Sequence, residues 1–164
     1  MRFSPRSNST RTFVLYPAAV AAEQLLSRRR WHPEALPLLA VGYTAYRLSG
    51  RYRLPLAGGP AGMSQGMPDH LVTDGVYAWS RNPMYGGHLV FLTGLALLTR
   101  SPVAITLLGA VGPWYGGRVA ADERRLSAAF GSDYDAYRDR VPRWLPDPLS
   151  LPARRRAATI PGTV

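Results

Sequence analysis

Charged residues vanish from two adjoining stretches of the chain. From Asn82 to Thr99 eighteen residues pass without Asp, Glu, Lys or Arg, and from Ser101 to Gly117 seventeen more. A helix rising 1.5 Å per residue needs about 17–25 residues to cross roughly 30 Å of hydrocarbon, so each run reaches the lower end of a membrane span. Arg100-Ser101-Pro102 stands between them. Pro disfavours helix at the residue before it, so this tripeptide predicts a turn. The pattern predicts a helical hairpin over 82–117 that crosses a membrane. The competing reading is a buried pair of helices in a soluble bundle, because Gly and Pro thin both runs.

Two weaker apolar segments lie upstream. Thr12 to Leu26 carries Pro17, Glu23 and Gln24, and Ala35 to Tyr46 is twelve residues long. Each reads as a short or tilted span, or as an interfacial helix. No ordinary signal peptide is expected, since no clear small-residue cleavage site follows the first of them. Residues 50–70 are rich in Gly, Pro and Met and predict a loop. Residues 118–130 predict a helix leaving the hairpin, ended by Gly131 at its C′ position. The expected organisation is an all-α integral membrane bundle with a transmembrane hairpin and a cytoplasmic C-terminal helical segment. It forms one domain over 1–149, followed by a basic, disordered tail over 150–164.

Composition sharpens this picture in three places. The 164 residues contain twenty Arg and no Lys against ten acids, for a net charge of +10. Cysteine is absent, which excludes disulfides, thiolate metal sites and cysteine nucleophiles. No metal site is expected. Charged residues make up only 18%, below the roughly 25% of soluble domains, and the mean hydropathy of −0.11 averages Arg-rich ends with apolar runs. The positive charge by itself suggests nucleic acid. The long charge-free hairpin and the lack of any nucleic-acid motif argue against that partner. Arg81, Arg118, Arg124, Arg125, Arg138, Arg140 and Arg143 fall on one side of the hairpin and Arg100 on the other. By the positive-inside rule the crowded side, with the C-terminus, is cytoplasmic, and the cell (inner) membrane is the expected location. Arg28-Arg29-Arg30 fits poorly, since four spans would put it outside.

A hairpin returns the chain to the side it left. Arg81, Asn82 and Tyr85 at its entry should therefore meet Arg118, Asp122 and Glu123 at its exit. Arg118 and Asp122 share a helix face at i and i+4. Either arginine taken alone could merely anchor a helix by snorkelling; two arginines converging with two acids and an amide point to a polar site at the membrane boundary. Acids can hold an ammonium group and Arg a carboxylate. An amino-acid headgroup carries both, which is chemistry that fits S-adenosylmethionine.

The stretch 71–85, LVTDGVYAWSRNPMY, resembles the signature of the isoprenylcysteine carboxyl methyltransferases, to which the phospholipid N-methyltransferases are related. Residues 118–146, RVAADERRLSAAFGSDYDAYRDRVPRWLP, resemble the same family's C-terminal block. The similarity runs from Leu71 to Pro146. It implies an all-helical membrane enzyme that uses S-adenosylmethionine at the cytoplasmic face to methylate a lipophilic acceptor, a small molecule or lipid reached from the bilayer. It further implies that His70, Leu71, Val72 and Tyr77 line the cofactor pocket, with Asn82, Pro83, Met84 and Tyr85 in the central cofactor motif; Arg81, next to that motif, is a further expected cofactor-binding residue. Asp122 falls at a cofactor-binding acid with Glu123 as its neighbour, and Arg118 where relatives hold a substrate carboxylate. Arg118 and Glu123 are thereby the expected catalytic pair. Two positions depart from the pattern. Asn82 replaces a His and cannot act as a base, and Asp122 replaces a Glu, so Glu123 could take over part of its role.

Methyl transfer from a sulfonium needs mainly position and desolvation. A carboxylate acceptor, the favoured one, needs no base; an amine would, and Asp122, Glu123 and His88 are the available groups. His88 reads better as a packed histidine, and Tyr134 and Tyr137 as aromatic packing of the C-terminal segment. Trp31, Trp79, Trp114 and Trp144 suit an interfacial belt. No obligate protein partner is expected. The alternatives are a non-catalytic membrane protein that has kept the fold and a nicotinamide-dependent membrane reductase.

Overall fold

A computed structural model describes residues 7–57 and 68–144. Among these residues the chain is all-helical, with no strand. The helices are α1 (Asn8–Thr10), α2 (Tyr16–Ser27), α3 (Leu36–Ala57), α4 (Pro83–Thr99), α5 (Pro102–Phe130) and α6 (Ser132–Arg140). Arg11–Leu15, a turn of π geometry, joins α1 to α2. Short 3₁₀ turns at Pro33–Ala35 and Gly75–Ala78 precede α3 and α4.

The predicted hairpin turn forms at the expected residues. Arg100 closes α4 in the left-handed conformation, φ 46°. Ser101 caps α5 by accepting a hydrogen bond from the Ala104 N–H, and Pro102 takes the first helical position, where its missing N–H is no loss. α5 then runs on through Arg118 without a break. The two elements expected over 101–117 and 118–130 are one helix. Gly131 ends it with φ 53°, and the chain turns at once into α6.

One expectation is overturned upstream. The loop predicted from residue 50 begins later, because α3 continues through Arg47, Arg51 and Arg53 to Ala57. Those arginines end the apolar run without ending the helix, since Arg and Leu are both good helix formers. The rest of the predicted loop partly falls on residues 58–67, which lie outside the described residues, as does the tail at 150–164.

α2 to α5 form an antiparallel bundle. Val20 of α2, Leu92, Leu95 and Ala96 of α4, and Ala104, Val111 and Tyr115 of α5 share its core. At one end the His32 N–H donates to the Leu98 carbonyl, 2.7 Å, Gln24 Nε2 to the Thr99 carbonyl, and Arg29 to the Arg100 carbonyl, 3.4 Å. Arg28-Arg29-Arg30 therefore sits at the end of the bundle that holds Arg100. The opposite end collects the entry to α4 and the exit of α5. α3 and α4 make the most extensive contact and cross with their backbones touching. A methyl group on Gly42 would lie 2.4 Å from the Phe91 nitrogen, and one on Gly87 2.7 Å from the Gly42 oxygen. Only glycine permits that approach.

No helix among the described residues is long and apolar enough to cross a membrane. α4, at 17 residues, is about 26 Å long at 1.5 Å per residue. α5 is longer, but its lower half carries Arg118, Asp122, Glu123, Arg124 and Arg125.

Candidate functional site

The entry and exit of the hairpin meet as expected. Asn82 occupies the N-cap position of α4 but makes no side-chain cap. Its Nδ2 instead donates to Glu123 Oε1 at 3.4 Å and to the Arg143 carbonyl at 3.2 Å. Arg81 pairs with the same Oε1 at 3.1 Å. Arg143 donates from Nε and Nη2 to Oε2 at 3.0 and 2.6 Å. Glu123 is thus the hub of four contacts, with its side chain and that of Arg81 each only 9% exposed. The charges compensate one another, which is what makes so buried a carboxylate tolerable.

The C-terminal segment is lashed over this hub. The Arg81 N–H donates to the Pro142 carbonyl and Arg81 Nη1 to the Arg138 carbonyl, both at 2.9 Å. The Tyr137 hydroxyl donates to the Tyr77 carbonyl at 2.8 Å. Tyr134, Tyr137 and Val141 form a small second core with Leu71, Leu126 and Phe130. Burial pushes the Tyr77 phenol up to about 12. It does the same to Tyr134, with the Glu123 charge adding to the effect. Both are protonated donors throughout the neutral range. Tyr137→Phe should lower stability by about 1 kcal/mol, the net worth of one hydrogen bond, and a denaturant melt of the purified protein checks it.

Beside the hub opens a cavity of about 180 Å³. Its wall includes His70, Leu71, Val72, Tyr77, Arg81, Asn82, Pro83, Met84, Tyr85, Arg118 and Asp122. Every residue proposed from the sequence is there except Glu123, which faces away into its ion pairs. Asp122 accepts a hydrogen bond from the Tyr85 hydroxyl at 2.9 Å, and Arg118 Nε lies 3.7 Å from the same carboxylate oxygen. Sequence reasoning missed Arg53 and Arg125, and set aside Tyr134 and Tyr137, all of which also line the cavity. The only available signal was the Tyr-x-x-Tyr spacing in α6, which reads equally well as packing. Tyr134 and Tyr137 do both, since they line the cavity and hold α6 in place. His88 takes no part in the wall. It is fully buried, with Nδ1 2.8 Å from the Met84 carbonyl and its ring packed against Phe13, Tyr46 and Tyr115.

Three buried polar atoms at the cavity have no hydrogen-bond partner: Arg81 Nε, Arg118 Nε and the Tyr134 hydroxyl. The two guanidinium nitrogens can only donate, and a phenol does so readily. Arg118 Nε nevertheless keeps its ion pair with Asp122, and Arg81 its pair with Glu123 through Nη2. Among the described residues no cluster of His, Asp and Glu could hold a metal ion.

A model of the phospholipid methyltransferases matches residues 34–133. The chain belongs to the phospholipid methyltransferase family. The family match covers α3, α4 and α5, and hence most of the cavity wall, while α6 beyond Asp133 and the chain before residue 34 lie outside it. Among curated proteins the chain is similar to the protein-S-isoprenylcysteine O-methyltransferase of Schizosaccharomyces pombe, 38% identical over 81 residues, covering 48% of this chain and 34% of the relative. It is 35% identical over 77 residues to the protein-S-isoprenylcysteine O-methyltransferase B of Arabidopsis thaliana, covering 46% and 39%, and to the human protein-S-isoprenylcysteine O-methyltransferase, covering 46% and 27%. The chain therefore spans roughly a third of the length of these relatives. No solved structure matches it.

Proposed function

We propose that this family member transfers a methyl group from S-adenosylmethionine to a lipophilic acceptor, with a carboxylate favoured, at the cytoplasmic face of the cell membrane. The observation that carries the reading is the cavity itself. It sets one carboxylate, Asp122, among the donor-bearing side chains of Arg81, Arg118 and Tyr134 and aromatic walls. An amino-acid headgroup needs that combination of an acid for its ammonium and donors for its carboxylate. The relatives' names point to the same chemistry, since they are O-methyltransferases of isoprenylcysteine.

S-adenosylmethionine, when bound, supplies an already activated methyl group on a sulfonium. The residues of the chain then have to bind, orient and exclude water. In this reading Asp122 holds the ammonium group, with Tyr85 fixing its rotamer through the hydroxyl hydrogen bond. Arg118 and Tyr134 donate to anionic or hydroxyl oxygens. His70, Leu71, Val72, Tyr77, Pro83 and Met84 give the apolar wall. Arg118 also stands close enough to Asp122 to receive an acceptor's carboxylate beside the cofactor. Glu123 acts as a positioning residue, since its four contacts fix Arg81, Asn82 and Arg143. No general base is needed for a carboxylate.

Membrane embedding rests on surface rather than on helix length. Leu25, Leu26, Leu36, Val41, Leu48, Leu97 and Ile105 are all exposed on the bundle, some nearly completely. Apolar side chains in that number suit hydrocarbon better than water, and short or tilted helices can span by local thinning of the bilayer. The arginines at the cavity end favour a cytoplasmic orientation for it.

The test is transfer of tritiated methyl from S-adenosylmethionine, by the purified chain, into a mixture of free-acid isoprenoids and amine-headed lipids. Label released as methanol by mild base marks a carboxyl ester; base-stable label marks an amine or thiol acceptor. Absence of label in any lipid would contradict the reading. Asp122→Asn should weaken cofactor binding about 10- to 100-fold, the worth of one hydrogen bond to a charged group, as read by titration calorimetry.

A further inference from the structure

Arg28-Arg29-Arg30 is a run of charge that a cytoplasmic cavity end leaves on the opposite face, beside Arg100. Hydrogen bonds from Gln24, Arg29 and His32 to the last carbonyls of α4 hold it there, satisfying groups that a helix end leaves open. Among the described residues, two that are not glycine have a left-handed backbone, Arg28 with φ 49° and Arg100 with φ 46°. They end α2 and α4, at positions where glycine or asparagine is usual. A β-carbon is disfavoured in that conformation, and residues kept in it cluster at functional sites. Both are arginines, both are exposed, and both lie at the same end of the bundle. Turning the chain would be served better by glycine, so what the arginines add is charge.

That charge is not balanced locally. Arg29 pairs with Glu23 at 3.6 Å and His32 with Glu34 at 3.0 Å. Among the described residues the guanidinium groups of Arg28, Arg30 and Arg100 make no ion pair or hydrogen bond. Glu23 and Glu34 are the only acids before Asp69, and α4 and α5 carry none before Asp122. One turn back along α2 and α4 from the two left-handed arginines, Leu25 is 78%, Leu26 87% and Leu97 50% exposed. Trp31, half exposed, stands next to Arg30. Cations above bare leucines, with a tryptophan at the boundary, match a phosphate above acyl chains. The 17 residues of α4 carry Arg100 to the headgroup layer opposite the cavity.

We propose that Arg28, Arg30 and Arg100 form a site for the headgroup of an anionic phospholipid, in the leaflet opposite the cavity, with its acyl chains against Leu25, Leu26 and Leu97. The site rests on the bundle being embedded in a membrane and not on methyl transfer. The full chain, purified in detergent with Trp31 as its sole tryptophan and the others changed to Phe, is titrated with phosphatidylglycerol or with phosphatidylcholine. Each lipid is brominated near the headgroup end of one acyl chain, where bromine acts as a heavy-atom quencher.

The expected result is saturable quenching by phosphatidylglycerol at about tenfold lower concentration than by phosphatidylcholine. High salt should narrow the difference. Excess inorganic phosphate, which shares the charge but has no chains, should not displace the lipid. Arg28→Asn/Arg30→Gln should abolish the preference and Arg100→Asn should reduce it. Asparagine accepts a left-handed backbone, so melting curves of both variants should match the parent. Arg51→Gln/Arg124→Gln removes the same charge from exposed positions at the hub end and should keep the preference. Equal quenching by the two lipids, a preference that survives Arg28→Asn/Arg30→Gln or is lost in Arg51→Gln/Arg124→Gln, or displacement by phosphate overturns the site and leaves the membrane reading standing. Quenching by neither lipid removes both.

Discussion

Glu123→Ala should destabilise the chain by about 3–5 kcal/mol, the usual penalty for leaving one member of a buried ion pair alone. The stranded group is Arg81, whose side chain is 9% exposed. The Arg143 contact adds little to the loss despite its 2.6 Å length, because that side chain is 46% exposed and solvent-screened pairs are weak. Glu123→Gln keeps two polar ends for Asn82 and Arg143, and should cost less. Removing both partners, as Arg81→Ala/Glu123→Ala, should recover part of the loss, since no buried charge remains unpaired. Chemical denaturation of the detergent-solubilised variants reads all three. A Glu123→Ala protein as stable as its parent would show that the hub does not hold the C-terminal segment in place.

The second large effect is steric and has a control of the same residue type. Gly42→Ala and Gly87→Ala each place a methyl group against backbone, at 2.4 Å and 2.7 Å, where no side chain can swing aside. Overpacking typically costs about 1–3 kcal/mol, and these sites belong at the top of that range or above it, because α3 and α4 must separate along their length. Gly112→Ala and Gly116→Ala meet nothing within 4 Å. There the better helix propensity of Ala should leave stability unchanged or raise it by about 0.5–1 kcal/mol. Equal melting behaviour across the four variants would contradict the close crossing.

The sequence was most legible where chemistry is local or one-dimensional. Charge-free runs located α4 and the first half of α5, Pro102 located the turn, and Gly131 located the end of α5. Topology then did the rest, for a hairpin must bring residue 82 back to residue 123. What stayed hidden depends on contacts between distant segments. Nothing local marks Arg143 as a partner of Glu123: its place in the C-terminal block and among the arginines on one side of the hairpin does not say which acid it meets. The crossing at Gly42 and Gly87 leaves no hydrophobic signature, because its essential feature is the absence of side chains. The extension of α3 was missed because arginines end a span without ending a helix. Glu123 was grouped with Asp122 because they are neighbours in sequence, yet successive helical residues point about 100° apart. One faces the cavity and the other the ion-pair hub.

That division between neighbouring acids is also where the account is most directly exposed. Titration calorimetry of S-adenosylmethionine into the purified full chain, repeated with Asp122→Asn and Arg118→Ala, tests it. The account predicts saturable binding to the parent, at least tenfold weaker binding to each variant, and unchanged melting temperatures for both. No heat of binding to well-folded parent protein, or equal affinity in all three, would contradict a cofactor site at this cavity.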